Sequence, residues 1–167
     1  MPQIAVVMGS DSDLPVMMEA ITTLEEFELE YEVRVLSAHR TPEETAEFSK
    51  SLEKRGIKIV IAGAGKAAHL PGFIAAFTTV PVIGVPISTS FDGIDALLSI
   101  VQMPPGIPVA TTAVDGAKNA ALLAVEILSL NEEKLRSKLK AYRERMNQKV
   151  KAKNEQIQRE VEKRCRR

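Results

Sequence analysis

An α/β fold built on a five-stranded parallel sheet is what this sequence of 167 residues predicts, and three observations predict it. Apolar runs rich in Val and Ile recur five times, at Ile4 to Met8, Tyr31 to Leu36, Ile57 to Ala62, Val80 to Ile87 and Val109 to Val114. The segments between them carry apolar residues at helical spacing, such as Leu14, Met17, Met18, Ile21 and Leu24, then Leu122, Val125 and Leu128. The runs are near-continuously apolar rather than alternating, as strands are when helices cover both faces of a parallel sheet. At 45% hydrophobic content, the chain is long enough for one well-buried core and too short for two.

The elements follow in order. The first strand breaks at Gly9, and Asp13 ahead of Leu14-Pro15 reads as the cap of the first helix. The second strand gives way to "SAHRTP", Ser37 to Pro42, where Thr41-Pro42-Glu43-Glu44 combines a capping threonine, a proline at the first helical position and a capping-box glutamate. The third strand runs into "AGAGKAAHLPG", Ala62 to Gly72. Between the fourth and fifth strands, "SIVQMPPGIPVAT" at Ser99 to Thr111 carries Gln102 and Met103 and reads either as a rigid turn or as a wall of the pocket, its own or a neighbour's. Asp115 is the expected cap of the last core helix.

From Asn131 the composition turns to long charged side chains, with Leu135, Leu139, Tyr142, Met146 and Val150 on one stripe. Helical to Arg167, this segment would be about 55 Å long at 1.5 Å per residue, longer than the body before it. Its stripe must then rest partly on something outside its own domain, most simply another copy of the chain, and it thins to Ile157 and Val161 at the far end. The expected division is a core domain over residues 1–130 and a C-terminal helical extension over residues 131–167, packed on a neighbouring subunit.

Charge and cysteine content narrow the function. The segment from Asn131 carries 14 Lys and Arg against 6 Asp and Glu, and the rest carries 8 against 16. The basic segment holds one aromatic residue, Tyr142, and is interspersed with acidic ones, so nucleic acid is not the expected partner. The lone Cys165 reads as an inert tail thiol, with no disulfide framework and no thiolate metal cluster. With no signal-like segment ahead of Ile4 and no apolar run of membrane-spanning length, the expectation is a cytoplasmic protein without membrane contact.

In an open parallel sheet, ligands bind beyond the carboxyl ends of the strands, where strand order reverses. A flavodoxin-like order 2-1-3-4-5 puts that place between strands 1 and 3, with the loop after strand 2 alongside. The three loops leaving those strands hold small residues, and each opens a helix whose first N–H groups favour an anion. Both histidines of the chain, His39 and His69, lie in them. Ser10, Ser12 and Asp13 taken alone read as helix caps. His39 with Arg40 at a strand's carboxyl end reads as functional, and the Arg40 fork suits a phosphate. For His69 the residues alone leave structure and function both open. The Gly63 and Gly65 spacing matches neither a dinucleotide fingerprint nor a Walker motif.

Together, "VVMGSDSD", "SAHRTP", "AGAGKAAHLPG", "VPVIGVP", "SIVQMPPGIPVAT" and "NAALLAVEIL" resemble the N5-carboxyaminoimidazole ribonucleotide mutase family of purine biosynthesis, over about Ile4 to Leu130. The resemblance implies a flavodoxin-like three-layer sandwich assembled as a homo-octamer, with sites at subunit contacts and the C-terminal helix on a neighbour. It implies a mutase that moves a carboxyl group from N5 to C4 through enclosed CO2, with no ATP, biotin, metal or other cofactor. Ser10, Asp13 and Arg40 would bind the ribonucleotide, Ser12 completing the first loop. Ser37, Ala38, Gly65 and the His69-Leu70 peptide would line the rest, His39 would be the catalytic acid/base, and His69 would orient the pocket or the carboxylate. Lys66 stands where the family commonly has glycine, and either points outward or reaches a carboxylate or phosphate.

Two alternatives remain. The sister carboxylase uses free CO2 on aminoimidazole ribonucleotide, and its family pattern has lysine where this chain has Arg40. A non-catalytic flavodoxin-like module would bind FMN or accept phosphate at Asp11 or Asp13. Against it stand the scarcity of aromatics and Gly63-Ala64 at the end of strand 3, where a receiver needs aspartate.

Overall fold

The computed structural model describes residues 1–165. Five strands, β1 (Ile4–Met8), β2 (Tyr31–Val35), β3 (Ile59–Gly65), β4 (Val82–Ile87) and β5 (Ala110–Thr111), form one sheet in the order β2-β1-β3-β4-β5. Every pairing is parallel, with Ile4 opposite both Tyr31 and Ile59, and Val60 opposite Val82. The helices are α1 (Leu14–Glu26), α2 (Pro42–Ser51), α3 (Leu70–Ala75), α4 (Ile94–Val101), α5 (Ala117–Ser129) and α6 (Glu133–Cys165). This is the flavodoxin-like order expected from the sequence, and it puts the reversal between β1 and β3.

The pleat turns alternate residues to opposite faces, so each central strand supplies two cores. Ala5, Val7, Val60, Ala62 and Val82 pack in one cluster with Leu52, Leu70, Ile74, Ala96 and Ile100, under α2, α3 and α4. Ile4, Val6, Ile59, Ile61 and Ile83 face the other way and are fully buried, as are Met17 and Leu24 of α1. Gly63 and Gly84 mark where helices lie close on the sheet. A β-carbon at Gly63 would stand 2.4 Å from Met17 Sδ, and one at Gly84 2.4 Å from Ile100 Cγ2.

The edges differ from the sequence expectation for physical reasons. Val33 and Val35 of β2 are largely exposed, since nothing pairs with its outer side among the described residues. The fifth strand is two residues rather than the run to Val114. Gly84 and Pro86 turn their backbone groups towards β5, and Pro86 has no N–H to donate, so the ladder ends at the Gly84 and Thr111 pair. Beyond it, Thr112 N–H still donates to Gly84 O at 3.0 Å and Asp115 N–H to Pro86 O at 2.8 Å.

Two compact units divide the chain, Met1–Val125 and Glu126–Arg167. Within the second, α6 has 33 residues, about 50 Å at 1.5 Å per residue. Leu135 and Tyr142 are buried, whereas Met146, Val150, Ile157 and Val161 are exposed. Arg143 pairs with Glu126, and Arg136 donates to the carbonyls of Ser129 and Leu130. No helix among the described residues is long and apolar enough to cross a membrane.

Candidate active site

Three loops leave the carboxyl ends of β1, β2 and β3, and each is shaped by its own side chains. After β1, Ser10 caps a short 3-10 turn at Asp11–Asp13. Ser12 N–H donates to Ser10 Oγ at 3.3 Å, and Ser10 N–H donates to Asp13 Oδ2 at 3.1 Å. The caps foreseen at Ser10, Ser12 and Asp13 are therefore joined in one reciprocal box. Asp13 makes no side-chain cap to α1, because its carboxylate is turned back on Ser10.

After β2, Ser37 organises the turn. Its Oγ accepts Arg40 N–H at 3.1 Å, and its carbonyl accepts Thr41 N–H at 2.9 Å. The Thr41 hydroxyl accepts Ser37 N–H at 3.1 Å, and so makes no side-chain cap to α2. The capping box read at Thr41 is accordingly replaced by a closed loop around Ser37. Arg40 reaches back to the first loop, with Nη2 donating to Gly9 O at 3.2 Å.

After β3, Ala68 N–H donates to Gly65 O at 3.0 Å, closing a turn in which Lys66 has φ 55° and Ala68 has φ 43°. Both are left-handed values that favour glycine. Gly65 gives the turn room: a β-carbon there would stand 2.6 Å from Thr89 Oγ1.

All three loops open on one cavity of about 490 Å³. Every residue singled out from the sequence lines it: Ser10, Ser12 and Asp13 from the first loop, Ser37, Ala38, His39 and Arg40 from the second, and Gly65, Lys66, His69 and Leu70 from the third. Ala64, Ala67 and Ala68 supply a small apolar wall. The "SIVQMPPGIPVAT" stretch does not line this cavity, and Met103 packs instead near Gly72 at 2.9 Å from where a β-carbon would be.

Two lining residues were not among those expected at the site, Gly9 and Thr89. Gly9 follows β1 directly and could have been found by its place in the first loop. Thr89, in the loop after β4, carries no mark that separates it from any Ser/Thr-rich turn. Asp115, foreseen as a cap, sends its carboxylate to Ser88, accepting both its N–H, at 3.0 Å, and its hydroxyl.

The central feature is a direct contact between the two histidines. His39 Nε2 and His69 Nδ1 lie 2.6 Å apart, with the rings edge to face at 75°. At that distance one nitrogen carries a proton and the other offers a lone pair, so the pair shares a single proton across this contact. Among the described residues there is no group of three or more His, Cys, Asp or Glu side chains able to hold a metal ion.

Asp13 is buried, and its carboxyl is raised above the ordinary value of 3.8, chiefly by burial; Asp11 pushes the same way, while the N–H groups of Ser10 and Gly9 oppose it. Folding therefore favours protonated Asp13. That contribution is full below 3.8 and is lost as pH rises through the folded value, so the ionised group costs stability at pH 7. Asp13→Asn keeps an oxygen for Ser10 N–H without the charge. It is expected to melt at a higher temperature than the wild type at pH 7, with the difference shrinking as pH falls towards 4 in thermal melts.

Comparison with known proteins gives one direction. A family model described as AIR carboxylase matches residues 3–149. The chain is 63% identical over 147 residues to the N5-carboxyaminoimidazole ribonucleotide mutase of Pyrococcus abyssi, covering 87% of this chain and 84% of that one. It is 55% identical over 147 residues to the protein of the same name from Thermotoga maritima, covering 87% and 86%. The crystal structure of Treponema denticola PurE superimposes with a TM-score of 0.82 at 36% identity, covering 90% of this chain and 94% of that one.

Proposed function

The chain belongs to the AIR carboxylase family and is an enzyme; from that premise we propose that it is a mutase of purine biosynthesis, moving a carboxyl group from N5 to C4 of carboxyaminoimidazole ribonucleotide. The observation that carries the reading is the histidine pair, set at 2.6 Å beside a wall of alanines in one cavity. It is supported by relatives that bear the mutase name at 55 to 63% identity.

The chemistry asks for little beyond enclosure and one proton. Breaking the N–C bond of the carbamate leaves its electron pair on nitrogen, which takes a proton from His39, and CO2 is freed. The enamine carbon C4 then attacks CO2, a C–C bond forms, and the C4 proton returns to His39. The imidazole ends as it began, and no oxidant, metal or cofactor enters the balance. Holding CO2 against the small Ala64, Ala67 and Ala68 side chains turns its recapture into an effectively intramolecular step. His69 orients His39 through the hydrogen bond between them.

In this reading the Arg40 guanidinium takes the phosphate, Ser10, Ser12 and Asp13 hold the ribose side, and Ser37, Ala38, Gly65 and Leu70 line the remainder. The enzyme is a cytoplasmic homo-octamer with sites at subunit contacts, built from the core domain over residues 1–130 and the extension over residues 131–167 lying on a neighbour. Exposed apolar residues on α4 and α6 support self-assembly.

The assay compares two donors. Purified protein in bicarbonate-depleted buffer is expected to convert N5-carboxyaminoimidazole ribonucleotide to the C4 acid. Turnover only from aminoimidazole ribonucleotide plus bicarbonate would assign the free-CO2 carboxylase instead.

A further inference from the structure

The cavity holds two permanent cations, and only one of them is tied down. Arg40 donates to Gly9 O at 3.2 Å and through Nε to Ser37 Oγ at 3.4 Å, which fixes its guanidinium between the first two loops. Lys66 lines the same cavity from the third loop, and its ammonium makes no hydrogen bond or close ion pair among the described residues. Its field is felt at Asp95, whose carboxyl is held below the ordinary value first by the Ser90 hydroxyl and last by Lys66. Asp95 already accepts hydrogen bonds from Ser90 and from Ala96 N–H.

The backbone under Lys66 makes this placement costly. At φ 55° a lysine gives up roughly 1–2 kcal/mol that a glycine would not, and strain of this kind gathers at ligand sites. We infer that Lys66 is a specificity-determining residue whose ammonium binds the carboxylate of the ribonucleotide, while Arg40 binds its phosphate. This rests on the mutase reading above.

The two anions of such a ligand sit at opposite ends, and the cations stand on different loops. The carboxylate end belongs beside the imidazoles and the alanine wall, on the loop that carries Lys66 three residues before His69. An ammonium also suits a carboxylate that changes its point of attachment. It is a point charge with three rotatable donors, and it imposes no planar fork on the anion. Held equally before and after migration, the carboxylate gains binding without a shift in the equilibrium between the two forms.

The test measures binding of two ribonucleotides by titration calorimetry, the C4 acid product and aminoimidazole ribonucleotide, which lacks the carboxylate. Lys66→Gln keeps the stem without the charge, and Lys66→Gly removes the side chain while relieving the left-handed strain, so at least the second retains the fold. In both variants, affinity for the acid is expected to fall about tenfold or more, as for loss of a hydrogen bond to a charged group. Affinity for the uncarboxylated ligand should change by less than about twofold, because its phosphate contact is untouched. Equal losses for the two ligands, or no loss for either, would overturn the assignment of Lys66 while leaving the mutase reading standing. Wild-type protein that binds neither ribonucleotide would overturn the mutase reading, and the inference with it.

Discussion

His39→Asn is expected to lower kcat by about 10²- to 10⁴-fold while ribonucleotide affinity stays nearly unchanged, the range typical of general acid–base catalysis. That is about 3 to 5 kcal/mol of transition-state stabilisation at 1.36 kcal/mol per tenfold. Asparagine can still occupy the end of the second loop and hydrogen-bond to His69, but it neither gives nor takes a proton near neutral pH. The fold should tolerate the change, since His39 is exposed at the cavity and the turn around it is held by Ser37, Arg40 and Thr41. Single-turnover product formation and calorimetric titration separate the two effects. Full activity would remove His39 from the chemistry. Lost binding together with lost turnover would make it a binding residue instead.

The histidine pair also shows what the sequence could and could not reveal. The five apolar runs were legible because buried parallel strands need no polar face, whereas their order was taken from the flavodoxin-like pattern and not read from any residue. His39, Arg40 and His69 stood out because a charged or titratable group at a strand's carboxyl end has little structural reason to be there. That the two rings touch was not legible, because it depends on the approach of loops 30 residues apart. Local competition misled the caps. Thr41 prefers Ser37, four residues back, and Asp115 prefers Ser88, 27 residues away, to the helix that follows each of them. Positive φ at Lys66, Phe91 and Asp92 is sterically disfavoured, so no propensity announces it. Pro86 could have foretold the short fifth strand, had the side its missing N–H faces been known.

The sequence places the C-terminal stripe and the sites at contacts between copies, and the structure adds an exposed apolar face on α4. Ile94, Leu98 and Val101 recur at steps of four and three, so they share one face of the helix, and Phe91 just ahead of it is 82% exposed. Under the proposed self-assembly, this face would lie at a contact between copies. Leu98 is 52% exposed, so Leu98→Glu adds a charge where water already reaches and should leave the monomer fold and its circular dichroism intact. In the assembly the same carboxylate would be stripped of water, at a cost of several kcal/mol. A closed symmetric oligomer with self-complementary contacts repeats the substitution on both sides of each such interface, which doubles the effect and adds like-charge repulsion. Since about 1.4 kcal/mol is tenfold in affinity, association through this face should weaken more than about 100-fold. Sedimentation velocity at micromolar protein is therefore expected to show the wild type as one large species and Leu98→Glu as smaller ones. Turnover should fall in step with mass if the cavity is completed by a neighbour. A Leu98→Glu protein that keeps the wild-type mass would show that α4 lies outside the subunit contacts. A smaller species with full activity would show that one chain suffices for the chemistry.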